Sequence, residues 1–106
     1  MYSKVYNLRF VKPTDAKVAS SYFVENLSKF IWICNIQSIN ISIEPYGNIS
    51  ITAKFDNCSD LKNFETKSKS IFSDVQGSFD FVQTNFSGVN IFAYETENTS
   101  TQITPN

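Results

Sequence analysis

The groups in this chain that could do chemistry are ten carboxylates, nine Lys or Arg side chains, five tyrosines and two cysteines. Histidine is absent. It is the commonest general base and transition-metal ligand, because only its unperturbed pKa lies near neutrality. Without it, Ser-His-Asp and Cys-His catalysis and nearly all zinc, copper and haem sites are excluded. Cys34 and Cys58 are too few for a four-cysteine metal cage. Gly47, Gly77 and Gly88 stand too far apart to build a glycine-rich phosphate cradle. Only a carboxylate pair or a tyrosine/lysine mechanism is left, so the expectation is a non-enzymatic protein with no cofactor and no metal.

A chain of 106 residues forms one domain, since a second could not close its own core. The domain is expected over residues 1–95, with the polar stretch 96–106 as a disordered tail. Apolar residues make up 42% and charged residues only 18%, which excludes wholesale disorder. The longest apolar run, Phe30 to Cys34, is too short to cross a bilayer. The first residues lack the charged lead and apolar core of a signal peptide, so a cytoplasmic location is expected.

Periodicity supplies the elements. Tyr6, Leu8 and Phe10 alternate along a first strand over residues 2–12. Pro13-Thr14-Asp15 ends it and opens a helix with Thr14 as the cap and Asp15 in the first turn. Ala16, Ala19, Phe23, Leu27, Phe30 and Ile31 form the apolar stripe of that helix, about four turns long. Ile39, Ile41 and Ile43, then Ile49, Ile51, Ala53 and Phe55, give two period-two runs joined by Pro45-Tyr46-Gly47. They read as a hairpin that pairs Ile43 with Ile49, one face apolar and the other Ser, Thr and Asn. That register would also bring Cys34 near Cys58, within disulfide reach, though both are expected to be reduced.

Ser59 or Asp60 caps a second helix carrying Leu61, Phe64, Ser68 and Ile71, and Asp74 to Gly77 reads as a turn. Phe79, Phe81 and Val82 lie on a fourth strand, Asn85 to Gly88 form a turn, and Ile91 to Tyr94 form a fifth strand. The order β-α-β-β-α-β-β predicts a two-layer α+β sandwich. It is ferredoxin-like with an added C-terminal strand and has helices on one face of a mainly antiparallel sheet.

Function is read from what such a sheet leaves uncovered. With helices on one side only, Val82, Phe86, Phe92 and Tyr94 are expected to stay exposed as a docking patch. All nine basic residues lie at or before Lys69, whereas residues 71–106 carry four acids and no base. Asp74, Asp80, Glu95 and Glu97 would therefore steer the patch toward a protein partner with a basic surface. The Asn, Ile, Lys and Phe bias suits the AT-rich genome of a phage or mobile element. Together these features predict an inhibitor, immunity or counter-defence protein acting by surface occlusion. One alternative is an RNA or single-stranded nucleic-acid module using the Ser/Thr/Asn face, although Arg9 is the only arginine and nucleic acid is not the expected partner. The other is a homo-oligomer joined edge to edge through the last strand.

Overall fold

In the computed structural model, residues 1–96 are described. They form β1 (Tyr2–Phe10), α1 (Pro13–Leu27), β2 (Ser38–Ile43), β3 (Asn48–Phe55), α2 (Cys58–Ser78) and β4 (Phe81–Val89), with a single 3-10 turn over Ser28–Phe30. The sheet order is β2-β3-β1-β4, every neighbouring pair is antiparallel, and both helices pack on one face. This is the expected ferredoxin-like two-layer sandwich.

The hairpin forms in the expected register, Ile43 opposite Ile49 and Ile41 opposite Ile51. Gly47 makes its turn possible by adopting φ +100°, a region that L side chains rarely enter. The ladder stops at Ser38 opposite Lys54, however, and Cys34 lies beyond it, buried within an otherwise exposed turn. Cys58 is exposed at the start of α2, and both thiols are free.

Three boundaries differ from expectation. The cap of α1 is Lys12 rather than Thr14, and it makes no side-chain bond; Pro13 starts the helix because its fixed φ suits the first helical position and its missing N–H costs nothing there. α2 is capped by Asn57, whose side chain accepts from the Asp60 amide at 2.9 Å. It runs on through the expected turn at Asp74–Gly77, because Phe72 and Val75 extend the buried stripe of Leu61, Phe64, Ser68 and Ile71. Gly77 meets nothing within 4 Å and merely tolerates the helix.

The largest departure concerns the C-terminal strands. Asn85-Phe86-Ser87-Gly88 is no turn but the middle of β4, paired residue for residue with β1 from Phe10–Phe81 to Tyr2–Val89. Pairing along a central strand outweighs local turn preference. The ring of Phe86 lies over Gly88: a Cβ there would sit 2.7 Å from it. Covering a strand glycine with an aromatic ring restores the packing that glycine lacks. Consequently no added strand forms at Ile91–Tyr94, which is irregular chain.

The core lies between the layers. Tyr6, Leu8, Phe10, Ile49, Ile51, Ala53 and Phe55 of the sheet meet Ala16, Ala19, Phe23 and Leu27 of α1 and Leu61, Phe64, Ile71, Phe72 and Val75 of α2. Rings interlock through it, with Tyr6 stacked on Phe72 at 4.2 Å and Phe10 on Phe81 at 4.6 Å. Among the described residues no helix is long and apolar enough to cross a membrane.

Candidate functional site

Strand pairing sorts the side chains into two faces. On the helix side, β3 presents only apolar residues, whereas β1 presents Lys4 and Tyr6 beside Leu8 and Phe10, and β4 presents Gln83, Asn85 and Ser87 beside Phe81. The helices lie over β1, β2 and β3 and leave the underside of β4 largely open. A cleft of about 270 Å³ results between α2 and the β1–β4 half of the sheet, lined by Lys4, Tyr6, Glu65, Ser68, Phe72 and Gln83 among others.

This cleft holds the two buried polar residues of the described chain, Lys4 (8% exposed) and Ser68. The Lys4 ammonium lies 2.7 Å from the Glu65 carboxylate, donates to the Ser87 hydroxyl at 3.1 Å and sits 5.3 Å from the centre of the Tyr6 ring. Ser87 in turn donates to Glu65 at 3.3 Å. The charge is thus compensated on three sides, as a desolvated ammonium requires. Ser68 donates to the Phe64 carbonyl one turn back at 2.7 Å. The Gln83 amide nitrogen donates to Asn85 at 3.0 Å, but its carbonyl oxygen is shut off from solvent with no donor among the described residues. Such an unpaired acceptor costs about 1–3 kcal/mol. Unpaid polar groups of this kind gather where a protein serves something other than its own stability.

Burial pushes the Tyr6 hydroxyl up to about 12; the Ser68 side chain opposes this and the Glu65 charge adds to it. At neutral pH Tyr6 is therefore a hydrogen-bonding phenol and not a base. The sign for stability follows. Between pH 10.0, the ordinary tyrosine value, and about 12, the unfolded chain gives up this proton while the folded chain keeps it. Stability present in full below pH 10.0 is expected to be lost as pH rises across that window. Denaturant midpoints measured from pH 9 upward should fall in the wild type, and Tyr6→Phe should flatten the slope.

The expected docking residues are scattered. Val82 and Phe86 do share the helix-free face and are 66% and 62% exposed. Phe92 and Tyr94 are 84% and 76% exposed, but they lie with Glu95 on irregular chain beyond β4 and not on a strand. Asp74 is on α2, where it accepts from the Tyr22 hydroxyl at 3.0 Å, and Asp80 stands at the junction of α2 and β4. Glu97 and the expected tail beyond it lie outside the described residues. The cleft residues were the missed signal: Lys4 interrupts the apolar face of Tyr6, Leu8 and Phe10, and Ser68 interrupts the stripe of α2.

No protein-family model and no curated protein matches the sequence. Solved structures do share the fold. A dimeric ferredoxin-like protein from an uncultured marine organism superposes with TM-score 0.71 at 13% identity, over 90% of this chain and 99% of its own. A protein from Deinococcus radiodurans, provisionally named an antibiotic biosynthesis monooxygenase, gives 0.68 at 12% identity over 90% and 99%. A dimeric ferredoxin-like protein of unknown function from Bacteroides fragilis gives 0.62 at 17% over 82% and 94%.

These structural relatives correct the sequence-based expectation of function. Several carry the name of an antibiotic biosynthesis monooxygenase, not that of a phage inhibitor or counter-defence protein. They do not support an inhibitor acting by surface occlusion. The edge-to-edge assembly through a fifth strand falls too, because that strand does not form. The nucleic-acid alternative gains nothing from the structure, since β3 offers only Asn48, Ser50, Thr52 and Lys54 to the open face. A non-enzymatic chain was expected, yet the fold is one whose provisionally named members include enzymes.

Proposed function

We propose that the protein binds a small ring-bearing organic molecule in the cleft between α2 and the β1–β4 half of the sheet. One observation carries this reading: the buried polar residues Lys4 and Ser68 line, with Gln83, the open cleft beneath β4. A cleft with an apolar wall and a few convergent polar groups is the usual form of a small-molecule site. Phe72 and Tyr6 supply the wall, and Ser68, Gln83 and Asn85 supply donors and acceptors. The monooxygenase names of several fold neighbours support a small-molecule role.

Phenol and catechol titrated into isotope-labelled protein test it by NMR. Saturable shifts should centre on Tyr6, Ser68, Phe72 and Gln83. Shifts confined to other surfaces would end the reading.

A second observation favours self-association. Exposed Phe86 and its half-buried neighbour Val5 form an apolar strip on the open face, and the irregular chain carrying Phe92 and Tyr94 leaves β4 at the Val89 end of that face. Two of the neighbours above are dimeric. Light scattering over a concentration series should therefore report a dimer. Phe86→Asp, which puts a charge in the strip, should weaken the dimer about tenfold or more.

A further inference from the structure

The open face has a second, polar end. Arg9 stands about 13 Å along β1 from Val5, at a strand rise of about 3.3 Å per residue. It lies between Asn48 on β3 and Val82 on β4. Around it is a concavity of about 390 Å³ on that face, walled by Asn7, Ser42, Ser50 and Thr84 and flanked by Val82. Arg9 is exposed, and among the described residues it makes no ion pair and no side-chain hydrogen bond. The carboxylate in the hollow, Glu44, is engaged in accepting from the Asn48 amide at 3.1 Å.

We propose that this hollow is a second ligand site, separate from the helix–sheet cleft, and that it takes a small carboxylic acid as its monoanion. A guanidinium presents a planar fork that matches a carboxylate in two parallel hydrogen bonds, which an ammonium cannot do. The neutral Asn, Ser and Thr groups offer further hydrogen bonds without competing charge. Val82, exposed on the same face, receives a ring or short alkyl group. Glu44 sets the charge of the ligand: its negative charge beside the hollow disfavours a phosphate dianion and tolerates a single negative charge. The site uses the face that the hairpin pattern leaves polar and that the helix–sheet cleft does not touch.

Sodium benzoate is the probe, with benzamide as its uncharged isostere and inorganic phosphate as the dianion. In NMR titrations, benzoate should produce saturable shifts at Asn7, Arg9, Ser50 and Thr84, with a dissociation constant of about 1 mM. Benzamide and phosphate should bind at least about tenfold more weakly. Arg9→Gln, at an exposed position where folding does not depend on the side chain, should lower benzoate affinity about tenfold or more, and Arg9→Lys should recover only part of it. Equal binding of benzoate and benzamide, benzoate shifts that persist in Arg9→Gln, or no saturable shift at these residues would each overturn the site. A second copy that seals the hollow would appear as that last outcome. None of these results depends on whether phenol enters the helix–sheet cleft.

Discussion

Phe64→Ala is expected to remove about 3–5 kcal/mol of unfolding free energy, the largest loss of any single substitution considered for this fold. Phe64 is fully buried on α2 and is where three parts of the core meet. Its ring lies 5.5 Å from Phe55 of β3, 6.5 Å from Tyr6 of β1 and 6.5 Å from Phe30 in the turn after α1. Truncation removes the transfer energy of the ring and leaves a hollow that Tyr6, Phe30 and Phe55 cannot all collapse into. Small domains have total stabilities of about 5–15 kcal/mol, so this one change would leave much of the chain unfolded at moderate temperature. Val24→Ala, on the exposed side of α1, is the control and should stay within about 0.5 kcal/mol. Urea denaturation of the three proteins checks both numbers. A loss near 1 kcal/mol for Phe64→Ala would mean that the helices do not seal the layer as described.

The second large effect is asymmetric. Removing Glu65 alone, as in Glu65→Ala, leaves the Lys4 ammonium buried without its counter-charge and should cost about 2 kcal/mol. The figure lies below that for a fully enclosed pair because the Glu65 side chain is itself 35% exposed. Replacing both partners, Lys4→Met with Glu65→Leu, removes the desolvated charge altogether and should return most of that loss. A double-mutant cycle in urea gives the coupling directly. If the double variant is as stable as the wild type and phenol binding is lost with it, the ion pair is kept in the cleft for its ligand and not for the fold.

How far the sequence reveals this molecule can be argued from single residues. The isoleucines of the hairpin announce both its faces and its register, because a slip of one residue would expose them all. The stripe of α2 is equally plain up to Ile71, but Gly77 masks its continuation through Phe72 and Val75. Gly88 misleads more seriously. Its turn-like neighbours suggest two short strands, whereas pairing with the whole of β1 makes one long strand, and the information for that pairing resides in β1.

The cleft is hidden for a related reason. Lys4 and Ser68 are visible as polar intruders in apolar patterns, but only the packing of α2 over β1 shows that they line one cleft, and only the uncovered underside of β4 opens it. The exposed aromatics are the plainer signal in the sequence, because composition reports surplus apolar area and says nothing of where a buried charge lies.

Soaking crystals of the protein with catechol tests the central claim most directly. The account predicts the ring in the cleft on the side of Phe72 and Tyr6, with its hydroxyls toward the side chains of Gln83 and Asn85. A well-ordered map with the α2–β4 cleft empty of catechol at saturating concentration, in a lattice that leaves the cleft open, would contradict it.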